Sequence, residues 1–245
     1  EITTPSSITA DEARMRLVQV MAALAADAGM PGALVPAAAV LSCVVPALER
    51  PWKAALSRTC TGRVLTVGPG LKTGMPVHYD DPAEIGPDRI ADAVAARAVY
   101  GSPCIVIDLG TTTNIEVIDA HGTFVGGVIA PGLALGARSL SAAAARLPQV
   151  EPSAPTHVIG RNTREAMRSG VVLGEVARID GMLDMVLAEM RATKAAGEGN
   201  VPIVITGDDA KALAALVGHS LTVDDALTLR GLAELYHINQ KPRRA

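Results

Sequence analysis

The chain has 245 residues, a net charge of −3 and an apolar fraction of 49%, enough for one large domain or two compact ones. Aromatic residues make up only 2% (Trp52, Phe124, Tyr79, Tyr100 and Tyr236), so neither stacked base platforms nor a basic footprint supports nucleic-acid binding. Cys43, Cys60 and Cys104 are widely spaced without any Cys-x-x-Cys pattern, which argues against a disulfide frame or zinc site and for reduced thiols in a cytosolic protein.

Thr9-Ala-Asp-Glu12 predicts a capping box, and the apolar spacing of Met15, Val18, Met21 and Ala25 predicts a helix ending near Gly29. The apolar run Ala37 to Val45 reads as a buried strand, Pro46 to Arg58 as a helix and Arg63 to Val67 as another strand. Pro76 to Ile85 is a loop, and Pro87 fits the first position of a helix over Ile90 to Val99. Two strands, Ile105 to Asp119 interrupted by a Gly-Thr turn, and then Thr123 to Ile129, lead into a helix predicted over Leu133 to Leu147. Gly160-Arg-Asn-Thr163 opens the longest helical pattern, to about Ala195; Val201 to Ile205 is a further strand and Leu227 to His237 a last helix. This order, with continuous apolar strands, implies an α/β fold with a covered sheet. No run of about 18 apolar residues lacks charges, so no transmembrane helix is expected. No signal peptide is visible. Gly170, Gly174 and Gly181 share roughly one helix face; close packing inside the chain and a subunit interface explain them equally. The basic run Lys241 to Arg244 reads as a solvated terminus.

The chemistry concentrates at Asp108-Leu-Gly-Thr-Thr112. A glycine lets backbone N–H groups approach phosphate oxygens closely, threonine hydroxyls add donors, and a carboxylate just before the turn can hold a cation that offsets the phosphate charge. From the residues alone Asp88 is either a catalytic acid or base or an acid favoured at a helix N-terminus, the latter worth ~0.3–1 kcal/mol. Arg89 reads as an exposed helical arginine, Tyr79 as a half-buried loop anchor and Thr163 as a helix N-cap.

Leu41-Ser-Cys-Val-Val-Pro46, Tyr79 to Arg89, Ile105 to Thr111, Gly126 to Gly132, Ile159-Gly-Arg-Asn-Thr163, Ser169-Gly170 and Leu227 to Leu232, taken in order, resemble the type III pantothenate kinases of the sugar kinase, actin and hsp70 ATPase superfamily. The resemblance implies two ribonuclease-H-like domains with mixed sheets flanked by helices, divided here as 1–102 and 103–245. It also implies a cytoplasmic homodimer that transfers the ATP γ-phosphoryl group to the 4′-hydroxyl of pantothenate, the first step of coenzyme A synthesis; composition and hydropathy lead to no expected nucleic-acid or membrane partner. By the same resemblance Asp88 is the catalytic base; Tyr79, Gly86, Asp88, Arg89 and Thr163 hold pantothenate; Gly110, Thr111 and Thr112 contact ATP. Asp108 then binds a monovalent cation, potassium or ammonium, and magnesium accompanies the nucleotide.

The chain departs from the family at three places. The Asp-x-Gly-Asn-Thr hairpin with which the family begins is not found before Thr9; an active kinase is the leading expectation and a chain inactive as written the alternative. A fragment, a misassigned start and a degenerate relative with a binding or transcription-accessory role are the three explanations. Pro87 replaces a small residue, and Gly207-Asp208-Asp209 stands where relatives commonly carry two glycines, an acidic pair that repels ATP unless a cation intervenes.

Overall fold

A computed structural model describes residues 2–32 and 34–240; the basic run from Lys241 lies outside them. The chain divides into two units. The first runs to Gly74 and adds Asp81–Ala91 and the residues from Leu232 on; the second is Met75–Asp80 with Asp92–Gly231.

In the first unit, α1 (Ala10–Asp27) starts at the expected capping box: Thr9 Oγ1 accepts from the Glu12 N–H at 3.2 Å, and the Thr9 N–H donates to Glu12 at 2.8 Å. These bonds to Thr9 hold the Glu12 carboxyl below its usual range. β1 is only Ala39–Leu41, half-buried, rather than the long buried strand expected from Ala37 to Val45. It is cut short because its one partner is the equally short parallel β2 (Val64–Thr66). Between them α2 (Pro46–Thr59) has proline at its first position, where a missing N–H costs nothing, and packs on α1.

α3 (Pro87–Tyr100) also opens on its proline, and the boundary between the units falls inside it. Its residues Ile90 to Ala96 are all buried, so this helix is covered nearly all round.

The second unit is built on a mixed sheet. β3 (Cys104–Leu109) and β4 (Thr112–Ile118) form an antiparallel pair, and β5 (Phe124–Pro131) continues it on the outside. After β5 come α4 (Leu133–Ala143), α5 (Thr163–Arg168), a π-helical turn over Ser169–Leu173 and α6 (Gly174–Ala192). α4 stops four residues before the expected Leu147, where Ala144 turns to extended backbone (φ −133, ψ 107). β6 (Ile203–Gly207) lies parallel to β3, α7 (Ala210–Ala214) follows, and β7 (Thr222–Val223) closes the order β5-β4-β3-β6-β7 before α8 (Leu227–Ile238). Ile105, Ile107 and Ile115 meet Ile179, Leu183 and Met190 of α6 on one face of this sheet. On the other, Cys104, Val106, Ile118, Phe124 and Val204 are all fully buried. A strand covered on both faces accounts for the continuous apolar run of β3; the fold is α/β with helices against a mixed sheet.

Among the described residues no helix is long and apolar enough to cross a membrane. A Cβ at Gly170, Gly174 or Gly181 would meet nothing within 4 Å, so packing inside the chain does not require these glycines.

All three cysteines are free, and burial pushes the Cys104 thiol up to about 12. An unfolded thiol titrates near ~8.5, so the unfolded chain releases this proton first. The contribution of Cys104 to stability is intact below that pH and is lost as pH rises toward the folded value. Iodoacetamide on the native protein is expected to modify the half-buried Cys43 and Cys60 and spare Cys104, as read by mass spectrometry. Equal labelling of Cys104 and Cys43 would contradict its burial.

Candidate active site

The first unit carries Gly86, Asp88 and Arg89 at the start of α3. Asp81 caps a single 3-10 turn, Pro82–Glu84, which delivers the chain to this helix start. Asp88 is half-buried, and its Oδ1 accepts from the Arg89 N–H at 2.8 Å, which fixes the carboxylate. A Cβ at Gly86 would stand 2.5 Å from that same Oδ1, so the glycine makes room for the acid to fold back. Arg89 is only 4% exposed, which overturns the reading of an ordinary exposed helical arginine.

The second unit carries the remaining candidates. Pro76 to His78 runs beside the start of β5, with the His78 N–H donating to the Phe124 carbonyl and the Phe124 N–H to that of Pro76, at 2.8 and 2.9 Å. This places the half-buried Tyr79 ring against Phe124, centroids 6.1 Å apart. Asp108, Thr206 and Asn114 are register partners across β3, β6 and β4, so their side chains leave the same face of the sheet in one row. Asn114 is 5% exposed and its buried carboxamide oxygen has no hydrogen-bond partner. Sequence reading passed over Asn114; its place opposite Asp108 in a hairpin was the available signal.

Gly110 to Thr112 forms the turn between β3 and β4. The Gly110 N–H donates to the Thr112 carbonyl at 3.0 Å, and the Gly132 N–H to that of Thr111 at 3.1 Å. A Cβ at Gly110 would meet only the Thr112 carbonyl oxygen, at 3.9 Å, so one side of the turn's backbone is open to a ligand. On its other side Gly132 is pressed against the carbonyls of Gly110 and Thr111. Beside the turn, Gly207 ends β6 at φ +99, where a Cβ would lie 2.1 Å from the Leu109 oxygen; no other residue fits without moving the strand. Exposed Asp208 follows directly, its N–H donating to Leu109 at 3.1 Å.

Thr163 is exposed at the first position of α5, and it is not the cap. Asn162 is: its side chain accepts from the Glu165 N–H at 3.0 Å, and Glu165 in turn accepts from the Arg161 N–H at 2.8 Å. That backbone bond, then the one with Asn162, lowers the Glu165 carboxyl from its usual value. Thr163 therefore keeps its hydroxyl outside the capping arrangement. Across the sheet, Tyr100 donates to Asp224 at 3.0 Å, and burial first, this bond second, push its phenol up.

The family profile described as type III pantothenate kinase matches residues 1–185. A type III pantothenate kinase from Koribacter versatilis (strain Ellin345) is 42% identical over 205 residues, covering 84% of this chain and 72% of that protein. Type III pantothenate kinase 2 of Symbiobacterium thermophilum is 39% identical over 242 residues, covering 98% and 87%. Among solved structures, a Baf family transcriptional activator from Campylobacter jejuni superposes with a TM-score of 0.49 at 24% identity, covering 72% of this chain and 73% of that one.

Proposed function

We propose a catalytic assignment for a chain that belongs to the type III pantothenate kinase family, ATP-dependent transferases that phosphorylate the alcohol of pantothenate in coenzyme A synthesis. Asp88 takes or orients the proton of the 4′-hydroxyl, and the Gly110–Thr112 turn receives the ATP phosphates. The observation that carries this is the pair of local geometries: a carboxylate fixed at a helix start, and a glycine turn with one backbone side open. Phosphoryl transfer asks a protein for positioning and charge neutralisation more than for covalent chemistry, and these two features supply them. Tyr79, Gly86, Arg89 and Thr163 are assigned to pantothenate. Arg89 brings a buried positive charge suited to its carboxylate.

The residues around Asp108 fit a monovalent cation. A buried carboxamide oxygen without a partner is costly, and a cation shared with the neighbouring carboxylate would satisfy it. Such an ion supplies positive charge beside the phosphates. Among the described residues no three or more His, Cys, Asp or Glu stand together as a metal cage, which suits a magnesium carried on ATP. The free thiols support a cytoplasmic location, and the uncovered glycine face of the π turn and α6 supports a homodimer.

Incubation with pantothenate, magnesium and ATP is expected to yield phosphopantothenate and ADP in equal amounts. ATP consumed without phosphopantothenate would remove the acceptor assignment. Potassium, compared with choline at equal ionic strength, is expected to raise the melting temperature of the wild type and to lose that effect in Asn114→Leu. A potassium effect of equal size in the variant would take Asn114 out of the ion's shell.

A further inference from the structure

On the face of β4 that turns toward α6, the Thr113 hydroxyl donates to Glu175 Oε1 at 2.6 Å. Glu175 is 5% exposed, in the first turn of α6. Its second carboxylate oxygen pairs with Arg178, three residues further along the same helix. The Arg178 guanidinium also donates to the Pro131 carbonyl at 2.5 Å. Thr113 follows the Gly110–Thr112 turn directly, and Pro131 is the register partner of Thr112 and precedes the Gly132 that bonds to Thr111. One chain of polar contacts thus reaches the turn through β4, which leaves it, and through the end of β5 beside it, and ties both to a single helix.

A carboxylate this deeply covered is expensive unless its bonds are complete, and a hydrophobic trio of the same volume would stabilise the fold at least as well. Directed polar contacts differ from such packing in fixing angles as well as distances. We propose that Glu175 and Arg178 are positioning residues for the phosphate turn, acting through Thr113 of β4 and Pro131 of β5 to hold the Gly110–Thr112 turn in the arrangement a nucleotide requires. The proposal rests on the reading of that turn as the ATP site. It extends the site's determinants to the first turn of α6.

The test is a comparison of Thr113→Val, which keeps volume and loses the hydroxyl, with Thr113→Ser, which keeps the hydroxyl and loses the methyl. Glu175→Gln is carried alongside; should it fail to fold, the threonine pair decides alone. The valine variant is expected to raise the KM for ATP and the Kd for ADP about tenfold, the scale of a lost hydrogen bond to a charged group. The KM for pantothenate should stay within twofold, while the melting temperature falls by several degrees because the buried carboxylate loses a bond. The serine variant is expected to restore nucleotide affinity. A structural role alone predicts a lower melting temperature for the valine variant with ADP affinity unchanged. Equal ADP affinity in wild type and Thr113→Val, or serine and valine variants that behave alike, would overturn the proposal. ADP binding is measured by calorimetry without pantothenate, which separates the two readings. Wild type that binds ADP yet phosphorylates no pantothenate removes only the acceptor assignment, while wild type that binds no ADP removes both.

Discussion

Asp88→Asn is expected to lower turnover ~10²–10⁴-fold, the usual range for a lost general base, with the melting temperature nearly unchanged. Asparagine preserves the shape and the oxygen that accepts from the Arg89 N–H at 2.8 Å, so the helix start keeps its local bond. What disappears is the negative charge and the capacity to take a proton from an attacking hydroxyl. The competing explanation, an acid placed to suit the helix dipole, predicts a different pattern: a loss of ~0.3–1 kcal/mol in stability and no kinetic defect beyond it. Steady-state phosphopantothenate formation and thermal unfolding on the same preparation separate the two. A variant that retains more than a tenth of wild-type turnover would take the base role from Asp88. The KM for ATP should remain near its wild-type value, because the substitution leaves the Gly110–Thr112 turn unaltered.

The parts of this architecture legible in the sequence are those fixed by local chemistry. A capping box states its own geometry in four residues, and Thr9 and Glu12 form both of its bonds. Proline suits the first turn of a helix, where its missing N–H leaves no bond unmade, and α3 begins at Pro87. The β3–β4–β5 hairpins announce themselves through apolar runs broken by Gly-Thr and His-Gly turns. Features decided by distant packing were not legible. β7, with two residues, and α7, with five, are too short to carry a period of their own. Glu175 sits on a helix in a pattern that suits solvent, and only the approach of Thr113 from the sheet makes it a buried acid. Asn162 rather than Thr163 caps α5, a one-residue shift that propensity cannot decide because both side chains cap well. The π-helical turn over Ser169–Leu173 has no signature in periodicity, since one extra residue per turn lies within the tolerance of a helical pattern.

Gly132→Ala is the sharpest probe of the phosphate turn. At φ −73 this glycine has a conformation any residue adopts, so backbone strain does not explain it. A Cβ there would stand 2.3 Å from the Gly110 oxygen and 2.8 Å from that of Thr111, and neither is the end of a side chain that could swing aside. The added methyl group must therefore displace the turn or break the Gly132–Thr111 hydrogen bond, while the buried core of β3 and α6 stays as it is. A displacement of about 1 Å at a reacting group costs about 10²-fold in rate, and that loss is expected in kcat/KM for ATP. Gly68→Ala is the matched control, because a Cβ at that exposed position meets nothing within 4 Å; it should behave as wild type. Circular dichroism and thermal unfolding establish that the Gly132 variant is folded before its kinetics are read. Wild-type affinity for ATP in a folded Gly132→Ala protein would mean that phosphates do not sit on this turn. The opposite result would show that one hydrogen atom in place of a methyl group at residue 132 sets where the nucleotide can lie.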